Sequence, residues 1–372
     1  MTLTACYIAA FILWLIIFLL PWRPWAVKET LEAEAAPGRS LTAGAGLTVL
    51  IPARNEEKNI ADAIKAVLAQ KVDATIIVVD DCSMDNTAAI AREAIGSSGK
   101  VIQGHPVPDG WSGKLWALQQ GLAHAGSGHL LLMDADILLK PGIIATALEF
   151  MEKNHLDFLS LMARLRMKAL PERFFMPAFV YFFKLIYPFR LSNRPGNPVA
   201  AAAGGFILTT REVLEKVKAF ESIKDALIDD CTLAARVKSA GFRTWIGLTR
   251  SVVSMRPYNN IRDIWHMVER TAFTQLRHSF LLLALVTALM ALLFIVPLYG
   301  LFAADMVTAV PALASLSIMC ITYLPVLNYY GMPRLFCISL PVVAMMYMLM
   351  TWSSAMKYYT GQGSGWKGRQ YF

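Results

Sequence analysis

The sequence has little charge and little cysteine, and both shortages exclude classes of protein. Only 17% of its 372 residues are charged whereas 56% are hydrophobic, a balance too apolar for a purely soluble enzyme. The five cysteines fit neither the spacing of a metal site nor a paired disulfide framework, which indicates reducing surroundings. No internal repeat is visible.

The basic residues are scattered, although the net charge is +8. This scatter argues against a nucleic-acid-binding surface. Several of these residues flank the hydrophobic ends of the chain, where positive charge favours the cytoplasmic face of a membrane and anionic lipid. They are Arg23, Lys28, Arg262, Arg270 and Arg277.

Four uncharged stretches are long enough to span a bilayer. The first, residues 5–22, lacks the basic start and the cleavage site of a secretory signal, so residues 1–28 are predicted to be a retained transmembrane anchor. The others, residues 279–304, 306–332 and 335–356, form a predicted transmembrane region over 279–356. They contain too few polar residues for a transporter.

The membrane topology is left open by the charges. Arg23 and Lys28 place the following segment in the cytoplasm, and Lys357, Lys367 and Arg369 place the tail of residues 357–372 there too. Three full spans after a cytoplasmic domain would instead put the tail outside. Either one of the stretches is re-entrant or interfacial, or the charge rule does not hold here.

The middle of the chain alternates between strand and helix patterns. After a linker over residues 29–46, strands are predicted at 47–52, 75–80 and 129–133, and helices at 56–70, 86–95, 115–125 and 141–153. This rhythm predicts an α/β domain over 47–258 with a doubly wound parallel sheet. Ligands of such sheets bind at the carboxyl ends of strands, where Asp80, Asp81, Asp134 and Asp136 fall.

Two further segments have their own patterns. Residues 171–190 are aromatic and apolar, which is typical either of a core helix or of a membrane-facing surface near a lipid acceptor. Residues 259–278 have apolar side chains at helical spacing and predict an amphipathic helix at the membrane interface.

Two acidic clusters point to chemistry. Asp134 and Asp136 follow a strongly apolar run, and two such carboxylates can hold one divalent cation that in turn holds a diphosphate. Asp229 and Asp230 open a helical segment, and repulsion between them can raise one pKa towards that of a useful general base. The alternatives are a solvated acidic turn for the first pair and a helix N-cap for the second.

Several ordered motifs carry a resemblance to the family 2 inverting glycosyltransferases, over roughly residues 47–250. They are VLIPARNEEKNI (49–60), VVDDCSMDNT (78–87), DAD (134–136), GG (204–205) and IDD (228–230). The motifs GWSGKLWA (110–117) and GWKGRQY (365–371) resemble the membrane-bound branch that glycosylates lipids. Within that branch the chain is most similar to the hopanoid biosynthesis-associated type, HpnB.

The resemblance implies a GT-A (Rossmann-like) nucleotide-diphospho-sugar transferase fold between N-terminal and C-terminal transmembrane helices, in the cytoplasmic membrane of a bacterium. It also implies transfer of one sugar, with inversion, from a nucleotide-diphosphate sugar, expected to be a UDP-sugar, to the hydroxyl of a membrane lipid. A hopanoid is the implied acceptor, and a carotenoid, a ceramide-like lipid and a polyprenyl phosphate are alternatives. An alternative from a different functional class is a non-catalytic scaffold that binds sugar nucleotides.

The family motifs assign roles to residues at the sugar-nucleotide site. The nucleotide would be contacted by Ala53, Arg54, Glu56, Asp80 and Asp81, the last through the uracil ring. The diphosphate would be contacted by Lys114. Close approach of the sugar or acceptor would be allowed by Gly204 and Gly205. Glu56 could instead cap a helix, as Ser83 and Asp85 are expected to do, and Lys114 could be a surface lysine.

The same motifs assign the metal site and the base. Asp136 is the implied ligand of Mg²⁺ or Mn²⁺, with Asp134 nearer the ribose or also on the metal. Asp230 is the implied general base, with Asp229 in place of the usual glutamate.

One departure from the family pattern bears on the product. Processive members carry Gln-x-x-Arg-Trp on the interfacial helix, and no tryptophan follows an arginine in the corresponding residues 269–278. Gln275, Arg277 and His278 could partly replace that motif on the diphosphate, or could form a basic membrane-proximal face. The missing motif argues against polymer synthesis.

Overall fold

The computed structural model describes residues 3–34, 46–302, 305–362, 364–366 and 369–371. These residues divide into two compact units. The first, called here the helical unit, holds residues 1–28, 167–190 and 258–372. The second, the sheet unit, holds residues 29–166 and 191–257. Residues 167–190 therefore interrupt the predicted 47–258 domain and belong with the helical unit.

The sheet unit is built on eight strands. They are β1 (Leu47–Ala53), β2 (Ala74–Asp80), β3 (Gly99–Gln103), β4 (His129–Met133), β5 (Ile137–Leu139), β6 (Phe158–Arg164), β7 (Phe206–Thr210) and β8 (Thr244–Ser254). Their order across the sheet is β3-β2-β1-β4-β7-β6-β8-β5. The helices of this unit are Ile60–Leu68, Thr87–Ile95, Gly113–His124, Ile143–Asn154, Arg211–Lys216 and Asp229–Ser239.

The sheet is mixed, which corrects the prediction of a parallel sheet. β1 pairs in parallel with β2 and β4, β2 with β3, and β6 with β8. β7, however, runs antiparallel to both of its neighbours, and β5 runs antiparallel to β8. The predicted segments all lie in the parallel half. The antiparallel strands come from later segments in which no strand was predicted.

The sheet has an apolar core on each face because side chains alternate along a strand. In β1, Val49 and Ile51 belong to one buried cluster, which also includes residues of the helices Ile60–Leu68 and Ile143–Asn154. Leu50 belongs to the other cluster, with residues of the helices Gly113–His124 and Asp229–Ser239. Both clusters fix where the strand ends lie.

Part of the predicted linker is held against the sheet unit. The N–H of Leu31 donates to the carbonyl of Leu248 in β8, and the N–H of Leu248 donates to the carbonyl of Glu29. The Glu32 carboxylate accepts hydrogen bonds from Arg250 and from Ser251. Residues 29–34 are therefore an ordered strap, whereas 35–45 lie outside the described residues.

The helical unit contains helices of very different lengths. They are Leu3–Leu19, Leu170–Ile186, Phe189–Ser192 at the passage between the units, Ile261–Glu269, Ala272–Gln275, Phe280–Met290, Val296–Gly300, Met306–Tyr330 and Leu340–Tyr359. A π-helical turn, Ala291–Ile295, joins two of them, and a 3₁₀ segment, Arg334–Ser339, precedes the last. Two short antiparallel strands, Ser364–Trp366 and Arg369–Tyr371, follow. The predicted interfacial helix is thus two helices.

Three of these helical segments are long and apolar enough to cross a membrane: Phe280–Gly300, Met306–Tyr330 and Arg334–Tyr359. They coincide with the three predicted C-terminal stretches. The N-terminal helix Leu3–Leu19 has 17 residues, or about 25 Å at 1.5 Å per residue, somewhat less than a hydrocarbon core of about 30 Å. Its role as a membrane anchor stays a prediction.

Candidate active site

The carboxyl ends of three parallel strands bring the acidic residues of the sheet unit to one edge. Ala53 ends β1 and pairs with Asp80, which ends β2. Asp134 follows β4, which also runs parallel to β1. The N–H of Asp81 donates to the Ala53 carbonyl over 2.8 Å, which joins the β1 and β2 ends. The strand ends that carry Asp80, Asp81 and Asp134 therefore lie at one edge of the sheet, as predicted.

The contacts of Arg54 and Asp80, two of the residues predicted to bind the nucleotide, hold these strand ends together. Arg54 donates through Nη1 to the carbonyls of Asp81 and Cys82, at 2.6 and 3.2 Å. The buried Asp80 carboxylate accepts through Oδ2 from Gln103 at 3.1 Å and from the N–H of Ser83 at 3.4 Å. The main-chain bracing by Arg54 fixes the loop that carries Asp81, a role the sequence did not indicate.

The three residues expected to cap helices, Glu56, Ser83 and Asp85, make contacts near the helix starts that differ from those expected. The helix predicted from residue 56 begins at Ile60, and the Glu56 carbonyl, not its carboxylate, accepts from the N–H of Ile60. Asp85 accepts from the N–H of Thr87, the first residue of the next helix, at 3.0 Å, but the N-cap position of that helix is Asn86 and not Asp85. Ser83 instead accepts from the N–H of Asn55, which ties together the loops after β1 and β2.

Lys114 lies at the centre of a charged pocket, called here the Lys114 pocket and lined by Lys114, Asp134, Gly204, Asp229 and Asp230 among others. Its ammonium is 2.9 Å from Asp134 Oδ1 and 3.2 Å from Asp229 Oδ2. Burial opposes the charged form, but the carboxylates outweigh it and raise the pKa of Lys114. Lys114 is thus part of the site and not a solvated surface lysine.

Asp229 and Asp230 open the helix Asp229–Ser239, as the sequence indicated. Asp230 Oδ1 accepts from the N–H of Cys231 at 2.7 Å, and its Oδ2 accepts from the N–H of Gly204 at 3.0 Å. Burial and the neighbouring Asp229 carboxylate raise the pKa of Asp230 to about 6, against the opposite pull of Lys114 and the two N–H donors. A carboxylate with this pKa can take up a proton near neutral pH.

Gly204 allows the parts of the pocket to meet. A Cβ at this position would lie 2.8 Å from Lys114 Nζ and 3.8 Å from Asp134 Oδ2. Gly204 is here because β7 is antiparallel to β4, so the start of β7 lies beside the end of β4, with Phe206 paired to Met133. At Gly205 the nearest atom would be Ile137 Cδ1 at 3.0 Å, which is a packing contact.

A buried serine fixes the loop that carries Gly204. Ser160 on β6 is fully buried, and its Oγ accepts from the N–H of Ala203 at 2.8 Å and donates to the Ala203 carbonyl at 3.1 Å. Lys238 holds an earlier part of the same loop, because its ammonium donates to the carbonyls of Ser192 and Val199. No sequence pattern marked either residue, because both act through main-chain contacts with residues distant in the chain.

The inner wall of the Lys114 pocket is apolar. It is formed by Pro52, Leu115, Leu118, Leu132, Met133, Ile207, Phe220 and Leu233. An apolar wall lowers the local dielectric and strengthens the charge interactions at the mouth. The hydrophobic pattern marked several of these residues as core, but nothing in it marked them as the wall of a site.

A divalent cation fits the Asp134 side of this pocket as one partner in a larger ligand set. Carboxylate oxygens are the hard donors that Mg²⁺ and Mn²⁺ prefer. Among the described residues no group of three or more acidic, histidine or cysteine side chains is placed to hold a metal. If a cation binds here, Asp134 would therefore supply only part of its coordination shell, and a diphosphate and water would have to complete it. Asp136 is not among the lining residues, and the N–H of Met255 donates to its carbonyl.

The three residues considered as a replacement for the missing interfacial motif belong to the helical unit. Gln275 accepts from the Tyr187 hydroxyl at 2.9 Å. His278 stacks on Tyr358, with ring centroids 4.2 Å apart, and contacts Thr274. Arg277 is exposed. Their contact with a diphosphate stays a prediction.

Comparisons with known proteins bear on the family and the fold of this chain. Residues 48–218 match the family model described as glycosyl transferase family 2. A curated relative, 4,4'-diaponeurosporenoate glycosyltransferase of Staphylococcus aureus strain MRSA252, is 39% identical over 92 residues. The match covers 24% of this chain and 24% of that relative, so the chain spans about a quarter of the length of the curated relatives it matches.

A solved structure resembles nearly the whole chain. It is the mannosyltransferase PcManGT from Pyrobaculum calidifontis, in complex with GDP-Man and Mn²⁺, with a TM-score of 0.58 and 16% sequence identity. The likeness covers 97% of this chain and 99% of that one, and at this identity it shows a shared fold. The family match and the mixed sheet lead to one conclusion: residues 48–218 are similar to glycosyl transferase family 2, and the chain has the GT-A fold of glycosyltransferases.

Proposed function

We propose that this chain is an inverting glycosyltransferase that moves a single sugar from a nucleotide-diphosphate sugar, a UDP-sugar, to the hydroxyl of a membrane lipid. The observation that carries the proposal is the position of Asp230. Its carboxylate, with a pKa of about 6, lies in one pocket with a lysine and a further pair of carboxylates, at the ligand-binding edge of the sheet.

The chemistry assigns each side of the pocket one task. Asp230 takes the proton of the acceptor hydroxyl as that oxygen bonds to the anomeric carbon, while the bond from that carbon to the diphosphate oxygen breaks. Lys114 stabilises the negative charge that develops on the departing nucleoside diphosphate. Asp134, with Asp136 as the predicted second ligand, would hold Mg²⁺ or Mn²⁺, which when bound supplies further positive charge for the diphosphate.

The acceptor is a lipid because the same chain carries three apolar helical segments of spanning length. We place the sheet unit in the cytoplasm and the protein in the cytoplasmic membrane as a multi-pass protein. A hopanoid is the acceptor we propose, from the resemblance to the HpnB type. A carotenoid is the second candidate, and it is favoured by the curated relative that is named as a diaponeurosporenoate glycosyltransferase.

The test is sugar transfer by the purified full chain in lipid vesicles. Radiolabelled UDP-sugars and GDP-sugars are offered with either a hopanoid or a carotenoid fraction, with Mn²⁺, with Mg²⁺, or with chelator. We expect one labelled lipid that requires metal and identifies both substrates by mass. Asp230→Asn should abolish the product and keep nucleotide binding, whereas Asp109→Asn, at an exposed position in the same unit, should change neither.

Two outcomes would contradict the proposal. Labelled product from Asp230→Asn at the wild-type rate would remove Asp230 as the base. Metal-dependent nucleotide binding with no product from any lipid fraction would favour the scaffold function that the sequence left open.

A further inference from the structure

The ammonium of Lys114 takes the place that a metal ion would be expected to take in the pocket. It lies within 3.2 Å of carboxylate oxygens of both Asp134 and Asp229. Among the described residues the Asp134 carboxylate has no other hydrogen-bond or ion-pair partner, and neither has that of Asp229. The two carboxylates are brought together by one cation, and that cation belongs to the protein.

The ammonium is closely confined. A Cβ at Gly204 would come within 2.8 Å of Lys114 Nζ, so the absence of a side chain at Gly204 makes room for it. The Lys114 side chain keeps 23% of its exposure, Asp134 keeps 35% and Asp229 keeps 23%. The pair is therefore held firmly, and yet it is open enough for a ligand to reach Asp134 and separate it from Lys114.

We propose that Lys114 is an internal counter-ion that a divalent cation must displace from Asp134, and that the diphosphate of the donor makes this exchange favourable. The inference rests on the proposed function and deepens it, because it predicts the order in which ligands bind. Metal alone competes with Lys114 and binds weakly. Metal with a nucleoside diphosphate binds tightly, because the displaced ammonium gains phosphate oxygens as new partners.

The proposal is a statement about coupling between two ligands. If Lys114 opposes the metal and favours the diphosphate, each ligand increases the affinity for the other by the same factor. Removal of the lysine charge changes the affinity for each ligand. The metal no longer competes with an ammonium for Asp134, and the diphosphate loses a cation that binds it. Both changes should reduce the coupling between the two ligands.

The experiment measures Mn²⁺ affinity of the full chain in detergent from the electron paramagnetic resonance signal of free Mn²⁺. Each protein is titrated alone, with UDP and with GDP, and no sugar donor is present. We expect Lys114→Met to bind Mn²⁺ alone about tenfold more tightly than wild type. We also expect the increase in Mn²⁺ affinity caused by the nucleotide to fall by at least about the same factor.

Two variants separate displacement from a general effect of charge and from misfolding. Lys224→Met removes the same charge from an exposed lysine beside the same helix start, where the carbonyl of Lys224 accepts from the N–H of Ser112. It should leave both Mn²⁺ affinities within about twofold of wild type. Lys114→Arg keeps the charge and should keep the coupling, and thermal unfolding confirms that each variant is folded.

The possible results also distinguish this inference from the proposed function. If Mn²⁺ affinity without nucleotide is unchanged in Lys114→Met, the counter-ion proposal is wrong, even where the wild type transfers sugar. If Lys224→Met tightens Mn²⁺ binding as much as Lys114→Met does, the effect is long-range electrostatics and the proposal is again wrong. If wild type transfers no sugar but Lys114→Met shows the predicted change in coupling, the inference stands and the proposed function fails.

Discussion

Two clusters of charge, one in each unit, both combine a lysine with carboxylates, but they differ in whether the carboxylate with the shifted pKa touches the lysine. Lys357 contacts Glu269 directly, whereas Lys114 contacts Asp134 and Asp229. In the helical unit the Glu269 cluster comprises Glu269, His266, Ser353 and Lys357. Glu269 Oε1 accepts from Ser353, and Oε2 accepts from Lys357 and from His266. The side chain of Glu269 keeps only 6% of its exposure.

The electrostatic results differ accordingly. Burial of Glu269 opposes ionisation, but hydrogen bonds from Lys357 and Ser353 outweigh it and lower the pKa of Glu269. In the Lys114 pocket, burial and the Asp229 carboxylate prevail and raise the pKa of Asp230. A buried carboxylate in direct contact with a cation stays ionised and stabilises a fold. A carboxylate left short of positive charge is suited to take up a proton or a cation.

The comparison is tested most strongly by neutralising each carboxylate. Asp230→Asn should lower sugar transfer by about 10²–10⁴-fold, because a general base contributes roughly that factor. Glu269→Gln should leave the turnover of the folded protein within about twofold of wild type, since it removes a charge outside the Lys114 pocket and no reacting group. Initial rates per folded molecule, with folded protein quantified by size exclusion, make the measurement. Equal losses of sugar-transfer rate in both variants would show that Asp230 is no more important for turnover than Glu269.

The predicted metal ligands should give an effect of comparable size, but on nucleotide binding as well as on transfer. Asp136→Ala should abolish transfer together with metal-dependent nucleotide binding, and Asp134→Asn should weaken both by about 10–100-fold. Isothermal titration with UDP and Mn²⁺ measures the binding, with Asp109→Asn as the matched control. Normal metal-dependent binding in Asp136→Ala would leave Asp134, which the structure places in the pocket, as the principal ligand.

The pH dependence sharpens the comparison further. Asp230 must be ionised to act as a base, so kcat/KM should be level above pH 7 and fall about tenfold per pH unit below pH 6. Rates in buffers of constant ionic strength from pH 4.5 to 8 give the profile. A midpoint near 4, the ordinary range of aspartate, would show that burial and Asp229 do not act on Asp230 as inferred.

The smallest effect should be on stability, and here the larger change should come from the Glu269 cluster and not from the Lys114 pocket. Glu269→Gln leaves Lys357 without its carboxylate and should lower the free energy of unfolding by about 1–3 kcal/mol. The pKa of Glu269 is lowered, so its ionised form stabilises the fold above the ordinary glutamate pKa of about 4.3, and that stabilisation is lost as the pH falls. Thermal unfolding in detergent at pH 7 and pH 4 checks both statements. An unchanged midpoint at pH 7 would mean that water replaces the Glu269 contacts.

The amino-acid pattern alone determined three strands of the parallel half-sheet, β1, β2 and β4, but not β3. β4 has the predicted bounds, His129–Met133, and β1 and β2 are each one residue longer than predicted. Short apolar runs that end in acidic residues indicate buried strands that reach a ligand-binding edge, and the information needed for that lies within a few residues. The same holds for the three long apolar helical segments, because length and hydropathy suffice to recognise them.

Only the tertiary structure decided how the pocket is assembled. The antiparallel direction of β7 brings Gly204 beside Asp134, and the start of the helix Asp229–Ser239 meets Lys114 from more than a hundred residues away in sequence. Strand direction and such long-range pairs depend on how the whole sheet closes, and no local pattern encodes that. The raised pKa of Asp230 follows from the same assembly, because burial and neighbouring charges exist only once the chain has folded.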